Sequence, residues 1–126
     1  MKRDAADKWF SDVVRAKAAY TCENCHQKGR MECCHIFGRA AKSVRWSLDN
    51  AVCMCHSCHR KYTENPLEFT NWLETYLGKG HLEILREKWN VKMQTNKALR
   101  SKISKHYREE FKKMERDELY QPISYN

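Results

Sequence analysis

The residues of this chain best suited to chemistry are its cysteines. Seven occur, an odd number, and all lie between Cys22 and Cys58. Cys22-Glu23-Asn24-Cys25 and Cys55-His56-Ser57-Cys58 are two C-x-x-C pairs. Two thiolates at this spacing on a tight turn can take two corners of one tetrahedron, and a second pair completes the four-thiolate shell of a structural zinc. Such a cluster in a chain whose start shows no secretory signal favours metal over disulfides, with reduced, metal-free thiols as the plainer alternative. Cys33, Cys34 and Cys53 fall outside the pairs. Cys53, within Val52-Cys53-Met54, reads as a small buried apolar residue, and His56, inside the second pair, as a surface residue.

The segment between the pairs, residues 26–54, is longer than a zinc ribbon requires. It carries Glu32-Cys33-Cys34-His35-Ile36-Phe37-Gly38-Arg39 and then Arg45-Trp46-Ser47-Leu48-Asp49-Asn50. His35, Asn50 and His59 therefore follow in order, with a cysteine pair before the first and immediately before the last. Taken singly, each residue has a bland reading: a surface or zinc-shell histidine for His35 and His59, a turn residue for Asn50.

The elements that must position these groups follow from periodicity and breakers. From Asp4 to Tyr20 there is no Gly or Pro, and Trp9, Val13, Val14 and Ala18 recur as one face of a helix. Two short strands are expected near residues 30–36 and 51–54. A helix starting near His56 must end by Asn65, because Pro66 disfavours helical geometry in the residue before it. Asn65-Pro66-Leu67-Glu68 reads as a new start, with Asn65 as N-cap. Phe69, Trp72, Leu73 and Tyr76 then form a stripe that ends at Gly78. From His81 to Leu119 the spacing predicts one long helix, or two separated near residues 94–96, and residues 121–126 read as a loose tail.

The combination of motifs resembles the HNH (ββα-metal) nucleases, in particular the zinc-bearing phage recombination nucleases of the NinG/Rap type, and more distantly recombination endonuclease VII. The likeness covers residues 6–77. It rests on Ala6-Asp7-Lys8-Trp9-Phe10-Ser11, Tyr20-Thr21-Cys22-Glu23-Asn24-Cys25, His35-Ile36-Phe37-Gly38-Arg39, and Arg45-Trp46 before Asp49-Asn50. It implies a mainly α fold around a small ββα-metal core: a zinc-stapled two-strand hairpin plus helix, flanked by an N-terminal helix and C-terminal helices. Residues 1–78 would form the nuclease domain, 79–120 a basic helical region and 121–126 a tail.

The same resemblance implies metal-dependent hydrolysis of DNA phosphodiesters, with branched or recombination DNA as the substrate class. His35 matches the general base, a role that an imidazole with a pKa near ~6.5 can fill at neutral pH. Asn50 matches the residue whose amide fixes the intervening loop. His59 matches a ligand of a divalent catalytic ion, Mg²⁺, Mn²⁺ or Zn²⁺. The family often has Asp or His just before the base, where this chain has Cys34; Glu32, two residues back on the same strand face, is the alternative ligand. Arg39, Lys42 and Arg45 in the loop, and Arg60 and Lys61 beyond it, are candidate phosphate contacts.

Lysine and arginine number 24 against 16 acidic residues, a formal charge of +8, which suits DNA as partner. The apolar residues Leu99, Ile103, Tyr107 and Phe111, set among lysines and arginines, allow two readings: a helix packed on the core, or a homodimer contact with a DNA-facing basic side. A non-catalytic zinc-finger DNA-binding protein is the competing function. With a mean hydropathy of −0.88 and no apolar stretch of the ~18 residues a bilayer requires, no membrane partner is expected, and the expected location is cytoplasmic (the host's, if phage-encoded).

Overall fold

The computed structural model describes residues 3–126. Asp4 opens the first helix, α1 (Ala5–Lys17), through a reciprocal capping box: its carboxylate accepts from the Asp7 N–H at 3.1 Å, and the Asp7 carboxylate accepts from the Asp4 N–H at 2.9 Å. The helix ends where Ala19 and Tyr20 adopt φ of 52° and 54°. The Tyr20 N–H donates to the Arg15 carbonyl at 2.9 Å, a Schellman-type closure that turns the chain into the first cysteine knuckle.

The strands are β1 (Glu32–His35) and β2 (Ala51–Met54), antiparallel, with Cys33 opposite Cys53 and His35 opposite Ala51. Strand alternation puts Cys33 and His35 on one face and Glu32 and Cys34 on the other. The first face meets α1, where Phe10 stacks on the His35 ring at 5.7 Å. The second meets α2 (His56–Glu64), whose His59 hydrogen-bonds to Glu32. A 3-10 turn, Leu48–Asn50, leads into β2.

Next come α3 (Pro66–Tyr76), α4 (Lys79–Asn90) and α5 (Lys97–Arg116). An aromatic run, Tyr62, Phe69, Trp72 and Tyr76, joins α2 to α3, with neighbouring ring centroids 4.7 to 6.3 Å apart. Asn65 does not cap α3 through its side chain. Its amide instead donates to the Lys61 carbonyl at 2.7 Å and closes α2. The break expected near residues 94–96 falls between α4 and α5, where Asn96 caps α5 by accepting from the Leu99 N–H at 2.8 Å.

Of the two readings of the apolar stripe, packing on the core is the one seen, and α5 does not stand apart: Ile103 and Tyr107 of α5 are buried in the same core as Phe10 and Val13 of α1, and Trp9 meets Phe111 at 6.0 Å. The apolar stripe of α5 is thus consumed within the chain, and a homodimer formed through it would have to displace the core. Nor is the tail loose. Ile123 N–H and the Tyr120 hydroxyl donate to buried Glu110. Ser124 Oγ accepts from the Leu48 N–H at 3.0 Å, and the Asn126 amide donates to the Ser43 carbonyl at 2.9 Å. The residues just past α5 therefore strap the loop that precedes Asn50.

Candidate functional site

The two knuckles bring Cys22, Cys25, Cys55 and Cys58 together, with all four sulfurs within 4.8 Å of one another. Zinc–sulfur bonds of ~2.3 Å set the edge of a regular tetrahedron at ~3.8 Å, and Cys25 Sγ lies 3.8 Å from Cys55 Sγ. Asn24 fastens the cluster to α2: its amide donates to Cys58 Sγ at 3.3 Å, and its carbonyl oxygen accepts from the Tyr62 hydroxyl at 3.1 Å. Burial pushes the Cys22 thiol up, but N–H groups of Cys25, Cys55 and Asn24 outweigh it and leave it at about 7. Burial and the neighbouring thiols push Cys58 up to about 12. One thiol ionises readily and its charge opposes the next, an opposition that a central dication removes. The donor set, its closure and its spacing fit a structural metal ion such as zinc.

His35 ends β1 against α1. Its Nε2 lies 3.2 Å from the Arg45 carbonyl. A carbonyl can only accept, so Nε2 carries the hydrogen and the lone pair is left on Nδ1. Burial, reinforced by the charges of Arg39 and Arg45, holds His35 below its ordinary value despite that hydrogen bond. It lines an open groove of about 390 Å³ together with Arg3, Arg15, Arg30, Arg39 and Glu32. Asn50, fully buried, grips the loop that follows: Oδ1 accepts from the Phe37 N–H at 2.7 Å and Nδ2 donates to the Phe37 carbonyl at 2.9 Å.

His59, on α2, reaches β1 at Glu32. Its Nδ1 is 2.8 Å from Glu32 Oε1, and the exposed His56 places its Nδ1 3.1 Å from Glu32 Oε2. These contacts outweigh the modest burial of Glu32 and hold its carboxyl below the usual range. A carboxylate that takes the Nδ1 hydrogen of a histidine leaves Nε2 for a metal. His59 does not line the groove of His35. Glu32 links them, hydrogen-bonded to His59 and lining the groove of His35. Among the described residues, the four cysteines are the one group in which three or more metal-ligating side chains converge.

Two residues from the sequence reading change role. Cys34 is 4% exposed and packs within the core, where burial pushes its thiol up to about 12; among the described residues it joins no converging group of metal donors. Arg45 is 3% exposed, with Nε 2.9 Å from Asp7 Oδ1 and Nη2 2.5 Å from Oδ2. It is an internal ion pair, not a phosphate contact. Burial would raise the Asp7 carboxyl, but Arg45 and the Asp4 N–H hold it below the ordinary carboxylate value. The Trp46 indole N–H also donates to Asp7, at 3.2 Å.

Arg39 is partly exposed, 3.9 Å from Asp7, and Lys42 is half-buried, while Arg60 and Lys61 are exposed on α2. Arg60 pairs with Glu64 at 3.1 Å, a surface contact worth little.

Sequence reasoning missed the groove's other wall. Arg3, Asp7, Ser11 and Arg15 all line it. Their spacing of four residues, with Arg3 just ahead of α1 and the other three on it, is the signal the sequence carries.

Comparison of the chain with protein-family models, with curated proteins and with solved structures returns no match. Among the described residues, no helix is long and apolar enough to cross a membrane.

Proposed function

We propose that this chain is a metal-dependent endonuclease that hydrolyses DNA phosphodiesters, with His35 as general base. The observation that carries this reading is the state of His35. Its tautomer is fixed by the Arg45 carbonyl, its pKa is lowered so that the ring is neutral at pH 7, and it lines a groove with four arginines. A neutral imidazole whose Nδ1 lone pair is available can take a proton from an attacking water. The arginines supply the field and donors that a phosphodiester needs. Asn50, through Phe37, keeps the loop after His35 in one conformation and is a positioning residue.

A divalent ion bound beside the scissile phosphate would stabilise its developing charge and the departing oxygen. Such an ion keeps most of its waters and takes phosphate oxygens from the substrate, so one or two protein donors suffice. His59, oriented by Glu32, fits that need, whereas Cys34 does not. The four-cysteine cluster serves the fold.

The second reading, a DNA-binding module without catalysis, draws its support from the groove of His35, which His59 does not line. One experiment distinguishes them. Zinc-loaded protein is incubated with supercoiled plasmid and Mg²⁺ or Mn²⁺. Nicking is expected, and His35→Ala should lower its rate by 100-fold or more, in keeping with the ~10²–10⁴-fold usual for a general base, while circular dichroism and plasmid affinity stay unchanged. Binding without cleavage under any divalent ion would establish the non-catalytic module instead.

A further inference from the structure

One aromatic feature has no part in the core or in the groove of His35. Phe37 and Trp89 lie face to face, centroids 5.0 Å apart and planes 3° from parallel. Phe37 cannot drift, because Asn50 holds both its N–H and its carbonyl. Trp89 sits in the last turn of α4, whose backbone is tied to the preceding loop by the Ser43 hydroxyl donating to the Trp89 carbonyl at 3.3 Å. Lys88 and His81 of the same helix reach Asp49 at 3.3 and 2.8 Å. Phe37 covers one face of the indole, yet Trp89 remains 45% exposed.

Beside the stacked pair runs an open groove of about 700 Å³, between residues 40–43 and residues 89–94, with Lys42 on one wall and Lys92 on the other. The result is a rigid π surface flanked on both sides by cations. Its complement is flat, aromatic and attached to an anionic chain. An unpaired nucleobase meets all three requirements, while a base inside a duplex has its faces already occupied. An apolar protein segment would gain nothing from the two lysines.

We propose that Trp89, backed by Phe37, is a stacking platform for an unpaired nucleobase of a DNA strand whose phosphates run between Lys42 and Lys92. Phe37 is separated from His35 by Ile36 alone, so the substrate class is DNA with a single-stranded segment next to the scissile bond. This rests on the DNA reading given above and adds strand selection to it.

The test is fluorescence anisotropy with labelled oligothymidylate and with a duplex of equal length, at one fixed salt concentration, in zinc-containing buffer without Mg²⁺. The wild type should prefer the single strand. Trp89→Ala should weaken single-strand binding roughly 10-fold, the usual effect of losing one stacking ring, and change duplex affinity less than twofold, whereas Trp89→Phe should retain most of the preference. Wild type that binds both DNAs, with a ratio that Trp89→Ala leaves unchanged, overturns the platform while the DNA reading stands. Wild type that binds neither overturns both.

If Trp89→Ala fails to fold, Lys92→Glu on the exposed wall takes its place: selective loss of single-strand affinity supports the platform, and an unchanged ratio sinks it. Self-association of the wild type in sedimentation, abolished by Trp89→Ala, would give this surface to a second copy of the chain and overturn the proposal.

Discussion

The state of His35 is set by the groups that bury it. The Phe10 ring and the Arg45 carbonyl that bury it also fix where its hydrogen sits. Because its folded pKa is lowered, the nicking rate should be level above pH 6.5 and decline only below it; an acid limb centred above 6.5 would exclude His35 as the base. The contribution of His35 to stability has the same sign. As pH falls, the unfolded chain takes up the proton first, near ~6.5, so the contribution of the neutral buried ring is whole above that pH and is lost as pH drops toward the folded pKa.

Asp7 behaves differently because its partner is a fixed charge. Asp7→Ala removes the carboxylate that neutralises the Arg45 guanidinium in the core, and about 3–5 kcal/mol of stability should go with it, read from the midpoint of urea unfolding. With its folded pKa depressed, the ion pair's contribution is intact above pH 3.8, the ordinary carboxyl value, and is lost as pH falls through the folded pKa. Arg45 was misread from sequence because a loop arginine beside a tryptophan looks like a surface cation. Nothing local reveals that Asp7, a helix away, is aimed at it.

At the level of elements, the knuckles were legible because a metal shell imposes spacing on the chain itself. Cys22–Cys25 and Cys55–Cys58 are each local, and their pairing follows from tetrahedral geometry. If the cluster holds zinc, Cys25→Ser should abolish stoichiometric metal, measured by atomic emission on the purified protein, and lower the melting temperature, because an ion bound there would link the first knuckle to α2. An unchanged melting temperature with zinc absent would show that the Asn24–Tyr62 contacts suffice.

The strands and helix boundaries were equally legible, since Pro66, Gly78 and the alternation around Cys53 act over a few residues. Asn65 was not: its side chain had two helices within reach, and the choice of the Lys61 carbonyl over the next helix's N–H groups is decided by its backbone φ of −131° and ψ of 73°. Similarly, Glu32 and Cys34 share a strand face, and the sequence left them equivalent. Packing on α2 separated them, turning Glu32 outward to His59 while Cys34 entered the core.

For the molecule as a whole, the packing of α5 on α1 was the least accessible feature, because an amphipathic helix does not name its partner. The Tyr107 hydroxyl, buried at the centre of that contact, donates to the Trp46 carbonyl and accepts from the Tyr125 N–H at 3.0 Å. The strap is thereby connected to the peptide next to the one that orients His35. Removing residues 121–126 leaves the Glu110 carboxylate without its Ile123 N–H and exposes the Tyr107 hydroxyl. Melting temperature should fall by several degrees, in line with the ~1–3 kcal/mol cost of such unmet groups. Differential scanning fluorimetry checks it, and an unaltered transition would mean the strap carries no weight.

The meeting of Phe10 with Tyr107 joins distant parts of the sequence, which bears on how the chain matures during synthesis. The four-cysteine cluster has all its donors once Cys58 leaves the ribosome, so any metal ion it holds can be acquired early. The apolar side of α1 must wait for α5 to emerge, exposed in the meantime to chaperones and proteases.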